Sequence, residues 1–173
     1  DTETLDIGVK AALTGHLVLS SLHTTTAAGS VVRMMNMGVE PFLICSSVNC
    51  FVAQRLLRRI CAYCKEEHRI SDTLHKKLSV DRILPGKDQS FFRGKGCPRC
   101  LGSGYSGRIG ITEVLVLTPA VKRLILGKEG ELQIKAAGRR EGMRTMREDA
   151  VTKAANGFTT LEEVVRVTAA DET

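Results

Sequence analysis

The chain predicts an α/β protein with a metal-held insert and a small C-terminal helical bundle, and three observations carry that expectation. Patterns of helix, strand and helix follow one another up to Gly38, the repeating order of an open sheet with helices on its faces. Cys61-x-x-Cys64 and Cys97-x-x-Cys100 then stand 32 residues apart. Beyond them, Thr145-x-x-Glu148 and Thr160-x-x-Glu163 are capping-box patterns that open two further helices. The division expected from these features is residues 1–60, 61–105 and 106–173.

Acidic residues in the first turn and apolar residues at helical spacing predict a helix over 1–13, stopped by Thr14-Gly15. His16 to His23 is a short, mostly apolar run, which predicts a strand buried on both faces. Thr24 to Thr26 cap a helix whose Ala28, Val31, Val32 and Met35 share a face and which stops at Gly38. His23 would stand at the ligand-facing end of the strand, beside the unpaired N–H groups of that helix. There it either hydrogen-bonds a phosphate oxygen or simply caps and packs. His16, at the far end, reads as structural.

Pro41 starts another helix, and the apolar run 48–57 reads as a strand, with helix as the alternative. Arg55, Arg58 and Arg59 line an anionic site or a subunit boundary, or form a solvated face. Cys45 and Cys50 lie in apolar sequence and read as small core residues.

Two C-x-x-C knuckles offer four thiolates to one ion, because a two-residue spacer lets one tight turn aim two sulfurs at a single point. Structural Zn²⁺ on Cys61, Cys64, Cys97 and Cys100 is the expected use. Two disulfides would need an oxidising compartment, and nothing at the N-terminus has the form of a signal peptide. Redox chemistry is a further use of one C-x-x-C, but a matched pair fits metal better. His68 could replace one thiolate or sit in a solvated loop. Between the knuckles, Ser71 starts a helical stretch that Pro85-Gly86 ends. Gly94-x-Gly96 lacks the Gly-Lys-Ser/Thr ending of a phosphate loop and permits a turn around the metal.

After Cys100 a glycine-rich run leads to a strand over 111–117, and Thr118-Pro119 opens a helix carrying Val121, Leu124 and Ile125. Asn156-Gly157 separates the last two helices.

Composition narrows the partners. Twenty-five Lys and Arg against 19 Asp and Glu give +6 and a pI near 9.2, which favours anionic partners such as phosphate, nucleic acid or acidic lipid. With two Tyr, five Phe and no Trp, base-stacking surfaces are poorly supplied. No apolar run has the ~18 residues of a membrane span.

Thr14-Gly-His-Leu-Val-x-Ser-x-Leu-His-Thr24, Met37-Gly-Val-Glu-Pro-Phe-Leu-Ile44, Ala53-Gln-Arg-Leu-x-Arg58, the four cysteines and Gly104-Tyr-x-Gly-Arg-x-Gly-Ile-x-Glu113 occur in one order. Together they resemble the C-terminal part of the secretion ATPases: the type II secretion ATPase, or general secretion pathway protein E, and the type IV pilus assembly ATPase. The likeness runs to about residue 168. It implies the C-terminal part of a RecA-like P-loop ATPase core, working as a homohexamer at the cytoplasmic, inner face of the bacterial inner membrane. ATP and Mg²⁺ would be its cofactors in the full-length parent, and an inner-membrane platform protein its partner, with peripheral membrane association through partners and no nucleic acid. The family's phosphate-sensing histidine falls on His23, the catalytic candidate, and its Gly-Arg pair puts Arg108 within approach of nucleotide. The tetracysteine distinguishes this branch from the retraction ATPases. Walker A and Walker B have no counterpart, since 1–4 resemble the sequence just past Walker B, so this fragment alone is expected to be inactive. The runner-up is a zinc-stabilised basic nucleic-acid-binding module, against which the few aromatics and the want of a basic helix both speak.

Overall fold

The computed structural model describes residues 1–86 and 89–168. In chain order the elements are α1 (Thr2–Leu13), α2 (Ala27–Asn36), α3 (Pro41–Ser47), β1 (Cys50–Ile60), β2 (Lys65–Glu67), α4 (Asp72–Lys77) and α5 (Val80–Ile83). They continue with β3 (Phe92–Gly94), a 3-10 turn (Pro98–Cys100), β4 (Tyr105–Val116), α6 (Pro119–Leu126), α7 (Glu131–Arg140), α8 (Met146–Ala155) and α9 (Leu161–Val167). Among the described residues the strands form two pairs, β1 with β4 and β2 with β3. The chain divides into two compact units, residues 1–53 with 113–144 and residues 54–112 with 145–173. These units cut across the three consecutive segments expected from the sequence, because β1 and β4 each begin in one unit and end in the other.

The first unit is a helical layer on the strand ends. Asp1 accepts the Thr4 N–H and starts α1, which buries Val9. Thr26 caps α2 by accepting the Gly29 N–H, and Gly38, at φ +90°, ends it in the left-handed region that glycine enters without strain. Ala27, Ala28, Val31 and Met34 turn inward from α2, with Ile44, Leu115, Val121, Ile125 and Ile134 completing this core. α2 packs on α7 and α3, α3 on α1 and α6, and α6 on α7. The predicted strand at 16–23 is not one. The run has no ladder partner among the described residues, and Leu17 and Leu19 are 85% and 89% exposed. An apolar run adopts strand pairing only where a neighbouring backbone completes its hydrogen bonds.

The second unit has its own core of Leu57, Leu78, Val80, Phe91, Ile111, Ala150, Val151, Ala154, Leu161 and Val164. The glycine-rich stretch before residue 111, left without structure by the sequence reading, is the first half of β4. The backbone of β4 is bound by α8 side chains: Asp149 accepts the Thr112 N–H, and Lys153 donates to the Gly110 carbonyl and to Asp149. An edge served in this way is closed to further strands. The Thr145/Glu148 box forms with both reciprocal bonds, whereas Thr160 caps α9 without one, because the Glu163 carboxylate is engaged elsewhere.

Candidate metal centre and histidine segment

The 32-residue spacer closes through a short antiparallel ladder. β2 leaves the first knuckle and β3 returns to the second, with Lys65 opposite Gly94, Glu66 opposite Arg93 and Glu67 opposite Phe92. The Lys95 N–H to the Cys64 carbonyl at 2.9 Å and the His68 N–H to the Phe91 carbonyl at 2.8 Å extend the ladder at its two ends. α4 and α5 lie between these strands, separated at Ser79, whose φ of 51° stops one continuous helix.

Glycines let the two loops meet. A Cβ on Gly94 would lie 1.9 Å from the Gly104 carbonyl oxygen, and one on Gly104 would lie 2.4 Å from that of Gly94. Neither position admits a side chain. The Gly104 carbonyl also accepts the Cys61 N–H at 3.0 Å, so the same contact ties the first knuckle down.

This brings four sulfurs within 4.8 Å of one another, from Cys61, Cys64, Cys97 and Cys100. Cys61 to Cys97 and Cys64 to Cys100 are 3.9 Å, and Cys97 to Cys100 is 3.7 Å. A disulfide needs sulfurs about 2 Å apart, so these are free thiols. The separations match the edge of a tetrahedron, ~3.8 Å, for metal–sulfur bonds of about 2.3 Å. Backbone N–H groups of Gly96 (3.3 Å, to Cys64), Cys97 (3.2 Å, to Cys100) and Gly104 (3.3 Å, to Cys100) point at the sulfurs. The Cys97 and Gly104 amides hold the Cys100 thiol at about 6, against desolvation. Desolvation pushes the Cys64 thiol up to about 12, and its neighbouring thiols add to that rise. The spacing of the four sulfurs and the amides aimed at them fit a single metal ion. His68 lies outside the sulfur cluster and serves the ladder through its backbone.

His23 lies in the first unit, exposed, four residues before α2. The helix terminus beside it differs from the sequence expectation. Two of its N–H groups are taken: Ala27 donates to Glu113 Oε1 at 3.0 Å and Gly29 to Thr26 Oγ1 at 3.0 Å. Glu113 is only 3% exposed, and a carboxylate at a helix N-terminus is stabilised by the orphan amides and the dipole. A phosphate would have to displace it to use these donors. Sequence reasoning missed Glu113, which stands 86 residues from Ala27. Its one signal was the acid in the Gly-Arg-x-Gly-Ile-x-Glu run. Arg108 is exposed on the part of β4 in the second unit.

Of the three arginines, Arg58 is committed to Glu163: its backbone N–H and guanidinium both donate to that carboxylate, and its guanidinium stacks 4.1 Å from the Tyr105 ring. Arg59 lies over Phe158 at 5.9 Å.

A mixed α/β chain with this sulfur cage defines a class. The fold matches part of the crystal structure of the pilus retraction motor PilT with bound ADP, with TM-score 0.61 at 20% identity, covering 97% of this chain and 37% of that one. The sequence pattern of the type II/IV secretion system protein family matches residues 1–166, and the chain belongs to that family. It is 43% identical over 170 residues to the type IV pilus assembly ATPase PilB of Pseudomonas aeruginosa, covering 97% of this chain and 29% of that protein. It is 44% identical over 168 residues to the type II secretion system ATPase E of Vibrio cholerae, covering 97% and 33%. The type II secretion system protein HxcR of Pseudomonas aeruginosa is also 44% identical over 168 residues, with 97% and 32% covered. The chain thus spans about a third of these relatives. They do not favour the nucleic-acid-binding alternative. No helix among the described residues is long and apolar enough to cross a membrane.

Proposed function

We propose that this chain is the C-terminal part of a hexameric ATPase that couples ATP hydrolysis to assembly of a pseudopilus or type IV pilus, for type II protein secretion or pilus extension. The observation that carries the reading is identity above 40% to named assembly and secretion ATPases over nearly the whole chain. Residues 1–60 would complete the ATPase core, 61–105 form a zinc-binding subdomain, and 106–173 provide the closing strand and helices. The ring would work at the cytoplasmic face of the bacterial inner membrane on a platform protein. The piece alone is inactive, since it offers no phosphate loop for Mg-ATP.

Within it, His23 is the catalytic residue that senses the transferred phosphate, and Arg108 contacts nucleotide. Both side chains are exposed, His23 in a segment outside any helix or strand and Arg108 on β4. Cys61, Cys64, Cys97 and Cys100 hold structural Zn²⁺, because four thiolates leave no open coordination position for a substrate. The ion supplies a cross-link between the knuckles and no chemistry. In the full-length protein, His23→Ala should lower ATP hydrolysis at least about 100-fold, the scale of removing one transition-state contact. Steady-state phosphate release measures it, and an unchanged rate would remove His23 from the site.

A further inference from the structure

The segment that carries His23 is exposed, yet the residues just after it are pinned at four points. The Thr24 N–H donates to the Leu22 carbonyl at 3.0 Å, and the Thr24 hydroxyl meets that of Ser30 at 2.6 Å. Thr26 Oγ1 donates to Glu131 on α7, and the Ala27 N–H donates to Glu113 on β4. Gly29 makes room: a Cβ there would lie 2.6 Å from Thr26 Oγ1 and 3.3 Å from Glu131 Oε2.

Glu113 is the member that needs explaining. It is 3% exposed on a strand where its inward neighbours, Ile111 and Leu115, are aliphatic. A buried carboxylate is harder to accommodate than another aliphatic side chain unless a specific partner holds it. The face α2 presents to the core is otherwise apolar or small, and apolar contacts alone leave a helix free to slide and turn. A directional bond to the first helical amide fixes its axial position and rotation. His23 is joined to that amide by only three residues, so its place is set by the same bond.

We propose that Glu113 is a positioning residue for hydrolysis: it anchors the first turn of α2 on β4 and thereby holds His23 where the reaction requires it. This rests on the reading of His23 given above. Glu131 acts with it as a second anchor through Thr26.

The test uses the full-length protein that contains this chain, with ATP as substrate. Glu113→Ala should lower kcat about tenfold while KM for ATP stays within about twofold, the pattern of a lost transition-state interaction. Glu113→Gln keeps an amide oxygen for the Ala27 N–H and should recover most of that loss. In a His23→Ala background, Glu113→Ala should remove nothing further, since residues acting as one unit are non-additive. Equal slowing by both Glu113 variants, or the same tenfold loss with His23 already gone, overturns the proposal. Amide exchange over residues 22–30, read on the same variants, separates the two layers. If His23→Ala hydrolyses ATP normally, the catalytic reading of His23 fails. Anchoring is then judged by exchange alone: protection lost at Ala27 in Glu113→Ala and kept in Glu113→Gln supports it, and unchanged protection in both sinks it.

Discussion

At the scale of single residues, Glu163 shows how a charge is stabilised away from water. It is 1% exposed and accepts from the Arg58 backbone and guanidinium and from the Arg166 guanidinium, at 2.6 to 3.0 Å. Burial alone would push its carboxyl up. The bonds from Arg166 and Arg58 prevail and hold it at about 2, below the ordinary 4.5. A carboxyl whose folded pKa is depressed stabilises the fold above its unfolded value, and that contribution is lost as pH falls through the folded one. Acid should therefore weaken the second unit progressively from about pH 4.5 down to about 2. In Glu163→Gln this part of the loss should be absent, and stability at pH 7 should drop by about 2 to 3 kcal/mol as charged hydrogen bonds become neutral ones. Denaturant midpoints across pH for the two proteins measure both effects.

At the scale of elements, the knuckles depend on a contact between two glycine backbones and on the four sulfurs proposed to hold an ion. Gly104→Ala would force a Cβ to within 2.4 Å of the Gly94 oxygen at a residue whose φ is already +76°. It should separate β2–β3 from β4 and weaken metal retention. Chelation should unfold 61–100 at least, since a structural ion of this kind contributes on the order of 10 kcal/mol. Metal content per chain, with circular dichroism before and after chelator, reads the outcome, and full ellipticity after complete metal loss would contradict it. These elements show what a sequence displays. Paired C-x-x-C motifs, the Thr145 box and the Thr26, Ser71 and Thr118 caps are local signals, each complete within four residues, and the structure contains each of them. α7 gave no comparable signal: Gly130 caps it without a side chain, and its inward face is Ile134, Ala137 and Gly138, too small to mark a stripe. The ties of Glu113 to Ala27 and Glu163 to Arg58 span 86 and 105 residues, and the local patterns that contain these two acids do not reveal such distant partners.

At the scale of the whole molecule, the run 16–23 separates propensity from pairing. Its short, mostly apolar run predicts a strand, but a strand is a relation between backbones, and no described neighbour supplies the second one. Among the described residues, the only backbone bonds of this stretch are from the His16 N–H to Ala11 and from the Thr24 N–H to Leu22. The amides of residues 17–23 in the 173-residue chain should accordingly exchange at nearly unstructured rates while those of α2 stay protected. Leu17 and Leu19 are almost fully exposed, so the chain produced alone should bind a hydrophobic dye and associate with rising concentration. Replacing both by lysine should suppress association and leave the melting temperature within about 2 °C, because neither side chain is packed. In the full-length ATPase, where the proposed core would cover this run, the same pair of changes should instead be destabilising, by several kcal/mol for two buried leucines. Equal tolerance in both proteins would show that nothing covers Leu17 and Leu19 in either.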